Sequence, residues 1–229
     1  KNLITQVYEG RISQKESEMR ALRAQINPHF LYNSLSLINW KAIEYEQDDI
    51  SRITLALSNY YRTSLNKGKN TLLLEQEVSN VRSYIEIQQI MHDNSFDVNI
   101  DISEDILKVE SLNLILQPLV ENAIDHGIDL LTDKRGVITI KGSRRPYRNR
   151  AGESIDIVWL SVSDNGVGME ENVCASFLTA ESKGSGARNV NDRIRLFYGE
   201  EYHLAVESVV GEGTTIMIKF PARQIDYRA

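Results

Sequence analysis

Residues able to bind phosphate groups are concentrated in the second half of this 229-residue sequence. Three Gly-x-Gly pairs occur there: Gly166 and Gly168, Gly184 and Gly186, and Gly211 and Gly213. Glycine permits backbone N–H groups to approach phosphate oxygens closely. The sequence contains neither G-x-G-x-x-G nor G-x-x-x-x-G-K-[ST], so the motifs exclude a Rossmann or a P-loop site. A tight turn is the alternative explanation for any single pair.

Polar side chains that suit a bound nucleotide accompany these glycines. Asp164 ends an apolar, strand-like run, where its carboxylate could accept a proton from the amino group of adenine. Asn122 lies in a helix-like run and could offer its amide oxygen to Mg²⁺, which prefers hard oxygen ligands. His126, four residues later, would share the helix face of Asn122 and could approach the phosphates. These residues predict a nucleotide site with a magnesium ion.

His29 is the candidate nucleophile of the first half. By spacings of three and four it shares a helix face with Asn33, Ser36 and Trp40, roughly opposite an apolar stripe of Leu31, Leu35 and Ile38. The imidazole is therefore expected to face solvent. A neutral imidazole keeps a nitrogen lone pair that can attack phosphorus, and Asn33, one turn on, could orient the ring. An ordinary surface histidine is the alternative.

The elements that must position these residues change character along the chain. Leucines and isoleucines at spacings of three and four between residues 31 and 60 predict an antiparallel helix pair. A third helix is expected at about residues 75–91. Two helices with narrow apolar stripes cannot cover each other fully, so we expect a second copy of the chain to complete a four-helix bundle. The prediction is a homodimer.

Beyond residue 93 the pattern becomes that of alternating strands and helices. Strands are predicted at residues 96–102, 137–141, 155–162, 202–207 and 214–220. Helices are predicted at 112–126 and 188–197, and the segments 144–152 and 169–186 are expected to be loops. The whole chain is thus expected to be α+β: a helical region followed by an α/β sandwich, with one mixed sheet and helices on one face.

Composition limits the remaining possibilities. The sequence carries 26 Lys and Arg against 32 Asp and Glu, a net charge of −6, which argues against a surface that coats nucleic acid. Its single cysteine, Cys174, cannot form an intrachain disulfide, and no Cys/His spacing resembles a zinc site. These features suit a reducing compartment such as the cytoplasm.

Four motifs together resemble a known family. Residues 116–127 (LQPLVENAIDHG), 164–168 (DNGVG) and 184–186 (GSG) resemble, in order and spacing, the N, G1 and G2 boxes of the GHKL ATPases. Residues 25–35 (QINPHFLYNSL) resemble the phosphoacceptor box of the LytS/YesM-like sensor histidine kinases. This last motif is far more specific than any glycine pair.

The resemblance implies an activity and assigns residues to it. His29 would receive the γ-phosphoryl group of ATP and pass it to an aspartate of a response regulator receiver domain, with Asn33 orienting the imidazole. Mg²⁺ would be held by Asn122. The nucleotide would be bound by Asn122, His126, Asp164, Gly166, Gly168, Lys183, Gly184, Gly186, Thr214 and Thr215. For the two threonines a plain hairpin is the alternative. Segment 169–186 would form a lid over ATP.

The resemblance also implies an organisation. Residues 1–20 would be a linker helix from an upstream membrane sensor, 21–93 the dimerisation and phosphotransfer region, and 94–229 the catalytic ATP-binding domain. The chain would then be the cytoplasmic portion of a plasma-membrane receptor, working as a homodimer.

Two alternatives to an active kinase are a degenerate kinase that only binds nucleotide and dimerises, and a GHKL ATPase that works on DNA. Asp125 and Ala187, which stand where the family often has Lys and Leu, favour the first. The acidic charge and the phosphoacceptor box disfavour the second, so nucleic acid is not an expected partner.

Overall fold

A computed structural model describes residues 28–64, 70–178 and 186–222. The chain divides into two compact units, of which the first ends at Gly68 and the second begins at Lys69. The sequence pattern predicts this boundary after residue 93. The difference arises because the third helix packs its apolar face into the core of the second unit. The predicted linker helix at 1–20 lies outside the described residues.

The first unit contains the predicted helix pair. Helix α1 (Pro28–Glu44) and helix α2 (Asp48–Ser64) are joined by a short turn in which Glu46 adopts a φ of 55°. The Tyr32 hydroxyl donates to the Tyr61 carbonyl oxygen at 3.3 Å, and the Ser51 hydroxyl donates to Asn39 Oδ1 at 2.7 Å. Both contacts join residues on opposite sides of the turn, so the two helices are antiparallel.

The buried face of this pair is narrower than the sequence predicts. Leu35, Ala42 and Ala56 are buried, whereas Ile38, which was placed on the inner stripe, is 47% exposed. Further large apolar side chains are exposed along both helices: Phe30, Leu37, Trp40, Ile43, Tyr45, Ile50 and Leu55. Small buried residues bring the helices together and leave much of their apolar surface uncovered.

The second unit is built on a mixed sheet of five strands. In chain order the strands of this unit are β1 (Thr71–Leu73), β2 (Phe96–Ile102), β3 (Glu110–Leu112), β4 (Gly136–Arg148), β5 (Ser154–Asp164), β6 (Ala205–Val209) and β7 (Gly213–Pro221). The sheet order is β2-β4-β5-β7-β6, with β2 and β4 parallel and the other pairs antiparallel. Strands β1 and β3 form a separate antiparallel pair.

The helices of this unit pack on one face of the sheet. They are α3 (Leu74–Met91), α4 (Gln117–Asn122), continued by a π-helical segment (Ala123–Ile128), then α5 (Glu171–Ser176) and α6 (Gly186–Tyr198). Alternate residues of the central strands, such as Leu160 and Ile218, are buried with Ile194 of α6 in one core. The predicted α/β sandwich is confirmed.

Several boundaries differ from those predicted. The helix expected from residue 112 begins at Gln117, because Glu110–Leu112 pairs with β1 instead. Strand β4 runs on to Arg148, through part of the expected loop, because it forms a long hairpin with β5. None of the helices in the described ranges is both long and apolar enough to cross a membrane.

Candidate nucleotide-binding site

A pocket opens in the second unit between α4, its π-helical continuation and the sheet. It brings together five residues predicted from sequence: Asn122, His126, Asp164, Gly168 and Thr214. The rest of its wall is mainly apolar and includes Leu119, Ala123, Val162, Met169, Phe177 and Ile216. An apolar slot with a few convergent polar groups suits a flat ligand such as a nucleotide base.

Asp164, at the end of β5, has one carboxylate oxygen engaged and one available. Oδ1 accepts hydrogen bonds from the backbone N–H groups of Gly166 at 2.8 Å and Thr214 at 3.3 Å. Within the described ranges, Oδ2 accepts no hydrogen bond. Burial raises the pKa of Asp164, and the two N–H donors and Lys134 lower it in part. The bonded oxygen orients the carboxylate so that the other can accept a ligand N–H.

Glycines in this region let two backbone segments approach each other. A Cβ on Gly166 would lie 2.5 Å from the backbone of Gly127, and a Cβ on Gly127 would lie 2.8 Å from Asp164 Oδ1. Gly168 has a φ of 67°, a conformation that favours glycine. The Gly211 N–H donates to the Val167 carbonyl oxygen at 2.7 Å, which joins the first and third glycine pairs. These two pairs shape the wall around Asp164.

Asn122 and His126 reach the pocket from consecutive parts of one helical segment. Asn122 is the last residue of α4, and His126 lies in the π-helical turn that follows. The Asn122 amide nitrogen is buried and has no hydrogen-bond partner among the described residues. An uncommitted buried amide is the group expected where a ligand completes the site.

The oxygen of the same side chain is the kind of ligand that suits a magnesium ion arriving with its nucleotide. In the described part of the chain, no group of three or more His, Cys, Asp or Glu side chains could hold a metal ion. Mg²⁺ in nucleotide sites takes one or two protein ligands and fills its remaining positions with phosphate oxygens and water. A single amide oxygen from Asn122 suits that arrangement.

The other predicted binding residues are placed differently. Gly166 does not line the pocket, and its backbone N–H donates to Asp164 Oδ1. Gly186 begins α6, and a Cβ there would lie 2.9 Å from Pro118 Cβ. Thr215 points to the opposite face of the sheet, where its hydroxyl donates to Ser163 Oγ at 2.9 Å. Strand alternation explains this, since its neighbours Thr214 and Ile216 line the pocket on the other side.

The structure describes residues 169–178 and 186 of the segment predicted to form a lid. Met169 and Phe177, which flank helix α5, both line the pocket, so this segment forms one of its walls. Arg188 Nε lies 4.0 Å from Asp192 Oδ2, one turn along α6. The predicted contacts Lys183 and Gly184 lie outside the described residues.

His29 and Asn33 are exposed on α1, as predicted. Asn33 Nδ2 lies 3.3 Å from His29 Nδ1. A half-turn of the amide would present its oxygen to the same ring nitrogen, so the asparagine can hold Nδ1 in either protonation state. Either way, the contact is made to Nδ1 and fixes the orientation of the ring.

One residue in the second unit escaped the sequence analysis. Glu77 of α3 is fully buried and accepts hydrogen bonds from backbone N–H groups just before α4. A signal was present in the sequence: Glu77 lies three residues after Leu74 and four before Val81, on the buried face of the helix. A charged residue on an apolar stripe indicates a specific partner.

Comparison with known proteins identifies the family. The histidine kinase family model matches residues 17–96, and that of the histidine kinase-, DNA gyrase B-, and HSP90-like ATPases matches residues 108–224. Sensor histidine kinase YesM of Bacillus subtilis is 34% identical over 221 residues, covering 96% of this chain and 36% of YesM. Sensor protein LytS of Bacillus anthracis is 30% identical over 215 residues, covering 91% of this chain and 35% of LytS.

A solved structure is also similar. The histidine kinase domain of a blue-light activated histidine kinase from Erythrobacter litoralis has a TM-score of 0.49 and 17% identity, over 93% of this chain and 94% of that one. This chain spans about a third of the length of the curated relatives it matches. It belongs to the histidine kinase family, through residues 17–96, and to the histidine kinase-, DNA gyrase B- and HSP90-like ATPase family, through residues 108–224.

Proposed function

We propose that this chain is the ATP-dependent, autophosphorylating core of a sensor histidine kinase in a two-component system. One observation carries the proposal: a single pocket in the unit that matches the ATPase family contains the available oxygen of Asp164 and the unpartnered amide of Asn122. The first group suits the amino group of adenine, and the NH₂ group of Asn122 suits a phosphate oxygen of the nucleotide. The amide oxygen of Asn122 is the proposed ligand of the magnesium ion.

The remaining pocket residues extend this arrangement to the phosphates. His126 lies one turn beyond Asn122 and would contact the phosphate chain, while Thr214 lines the pocket beside Asp164. Lys183, Gly184 and Gly186 remain predicted phosphate contacts from the G2 box. Mg²⁺, when bound with ATP, neutralises charge on the β- and γ-phosphates.

His29 is the proposed phosphoacceptor. With Nδ1 protonated and donating to the Asn33 amide oxygen, Nε2 of the exposed ring keeps its lone pair for attack. Nε2 forms the bond to the γ-phosphorus, the bond from that phosphorus to the bridging oxygen breaks, and ADP leaves. The Nδ1 proton is then released to solvent, which neutralises the phosphorylated ring. Asn33 acts here as a positioning residue, and an aspartate of a response regulator receiver domain takes the phosphoryl group in the second step.

The proposed assembly follows from the helical unit. The exposed apolar side chains of α1 and α2 would be covered by the same helices of a second copy, which gives a homodimeric four-helix bundle. The relatives that the chain matches are named sensors and are about three times as long. This length difference supports an upstream sensor, a membrane receptor of which this chain is the cytoplasmic portion, and a linker role for residues 1–20.

Incubation of the purified chain with γ-labelled ATP and Mg²⁺ tests the proposal. We expect label that is stable to base and labile to acid, as for a phosphorylated imidazole. His29→Gln should abolish it while ATP binding persists, and the matched His203→Gln, at another exposed histidine, should keep it. ATP binding without any label would support the degenerate-kinase alternative, and full labelling of His29→Gln would place the acceptor elsewhere.

A further inference from the structure

Glu77 is buried in the second unit and does not line the pocket. Its Oε1 accepts hydrogen bonds from the N–H groups of Ile115 at 2.7 Å and Leu116 at 2.9 Å. Its Oε2 accepts one from the N–H of Leu114 at 2.9 Å. One side chain of α3 therefore holds three consecutive backbone amides from the turn that leads into α4.

That turn is held from its other side as well. Leu114 adopts a φ of 56°, an unfavourable conformation for a residue with a side chain. Arg193 of α6 donates to the carbonyl oxygens of Asn113 and Leu114. The carboxylate binds the N–H groups and the guanidinium binds the carbonyl groups, so the surrounding structure maintains a strained turn immediately before α4.

A second contact between α3 and α4 is made by amide side chains. Asn80, one turn after Glu77, donates to Gln117 Oε1 at 3.3 Å. Gln117 in turn donates to Glu121 Oε1 at 2.7 Å, and Glu121 is the neighbour of Asn122. The Glu77 contacts locate the start of α4, and the Asn80–Gln117–Glu121 chain runs along the helix to its end. Asn122 is the last of the six residues of α4, so a displacement at the start of this short helix reaches Asn122 directly.

We propose that Glu77 is a positioning residue for the metal-binding asparagine. By holding the turn at residues 114–116, its carboxylate sets the position of α4 at which the Asn122 amide faces the Mg²⁺ of bound MgATP. This inference rests on the proposed role of Asn122 as a magnesium ligand. Residues that orient a metal ligand typically contribute about 10- to 100-fold to metal affinity.

The chemistry of the carboxylate makes the proposal testable with a small change. Three N–H donors require a group that only accepts hydrogen bonds, which an ionised carboxylate is and a carboxamide is not. In Glu77→Gln the oxygen can serve Ile115 and Leu116, but the NH₂ group then meets the N–H of Leu114, donor against donor. The turn must therefore change conformation at Leu114, which already has a positive φ.

The experiment measures binding of a non-hydrolysable ATP analogue to the full chain, in Mg²⁺ and in EDTA. The ratio of the two affinities is the magnesium enhancement. We expect Glu77→Gln to reduce this enhancement about tenfold or more and to leave the affinity in EDTA within about twofold. Glu77→Asp, which keeps both carboxylate oxygens, should recover part of it. Should Glu77→Gln fail to fold, Glu77→Asp is judged by the same ratio, and an unchanged ratio overturns the proposal.

Two controls separate positioning from general destabilisation. Asn191→Ala removes another buried side chain that accepts a backbone hydrogen bond, from Leu204 N–H at 3.0 Å, and should lower the melting temperature without changing the enhancement. In an Asn122→Ala background, Glu77→Gln should cause no further loss of enhancement. A Glu77→Gln variant that resembles Asn191→Ala, or that loses affinity equally in Mg²⁺ and EDTA, overturns the positioning role.

The outcome for Asn122 alone tests the proposed function separately. Asn122→Ala should lose most of the enhancement. If it keeps the enhancement, the metal role of Asn122 is rejected whatever Glu77→Gln does. If it loses the enhancement and Glu77→Gln does not, only the positioning role of Glu77 is rejected.

Discussion

The two units of this chain differ in how many of their large apolar side chains they bury. The nucleotide-binding unit places its large apolar residues in one continuous core between sheet and helices. The helical unit buries mainly Leu35, Ala42 and Ala56 and leaves Leu37, Trp40 and other large side chains exposed. The first arrangement buries its large apolar residues within one chain, and the second leaves apolar surface exposed. These exposed stripes are the surface that the proposed second copy of the chain would cover.

The same contrast extends to the chemical groups. His29 stands on an exposed helix with the Asn33 amide at its Nδ1, whereas Asp164 is fixed by two backbone N–H groups inside a pocket wall. Exposure suits the proposed phosphoacceptor, which would receive phosphate from one partner and give it to another. A fixed orientation suits the proposed recognition of one base.

We expect the largest effect on the free energy of unfolding from a substitution in the core of the second unit. Leu160→Ala removes a fully buried side chain and should lower the free energy of unfolding of the second unit by about 2–5 kcal/mol. Leu37→Ala, at a side chain that is 60% exposed, should have little effect on an isolated chain. Each unit contains one of the two tryptophans, Trp40 and Trp159, so urea unfolding of single-tryptophan variants measures each unit separately. Equal losses of unfolding free energy in Leu160→Ala and Leu37→Ala would contradict the difference between the two units.

The next effect concerns recognition of the base. Asp164→Asn keeps the shape of the side chain but replaces an acceptor with an amide, so ATP affinity should fall by about 1.5–3 kcal/mol in calorimetry. Asp101→Asn, an exposed matched control on β2, should bind ATP normally. Unchanged affinity in Asp164→Asn, or equal binding of GTP by the parent, would refute adenine recognition by this carboxylate.

A third prediction addresses the incomplete surface. Leu37→Glu places a charge among the exposed apolar side chains of the helical unit and should raise the dimer dissociation constant at least tenfold, about 1.4 kcal/mol. Leu196→Glu, at an apolar side chain that is 89% exposed on α6, should leave dimerisation unchanged. Sedimentation velocity measures both. Loss of the dimer in Leu196→Glu alone would move the interface to the second unit.

The smallest effect is on pH dependence. Burial raises the pKa of Asp164, so this carboxyl group protonates at a higher pH than an ordinary aspartate. A protonated carboxyl cannot accept as a carboxylate does, so ATP affinity should be full above that pKa and fall on acidification, by at most about tenfold per pH unit. Asp164→Asn should lack this dependence. An identical acid profile in that variant would assign the titration to another group.

Sequence patterns predicted the parts of the fold in which one face is buried. Strand β2 was predicted with its observed bounds, because its alternation reflects burial on one side of the sheet. The start of α4 was placed five residues too early, since pairing of residues 110–112 with 71–73 depends on a contact about forty residues away. Local periodicity contains no information about such a partner.

The residues of the candidate site could also be predicted only in part. Asp164 and Asn122 were found from motifs, and both line the pocket. Thr215 was proposed with Thr214, although strand alternation sends the two to opposite faces. Glu77 was missed: its place on the buried face of α3 indicates a partner, but no pattern within α3 reveals that this partner is the backbone of residues 114–116.

The position of β7 in the sheet has a consequence for biosynthesis. This strand lies between β5 and β6, so the sheet cannot close until Pro221 has been made. Helices α1 and α2, which end at Ser64, meet across a short turn, and such local contacts form within microseconds to milliseconds. At about 5–20 residues per second, on the order of ten seconds of translation separate the two events. During that interval the apolar face of the helix pair is displayed to neighbouring nascent chains before any ATP pocket exists.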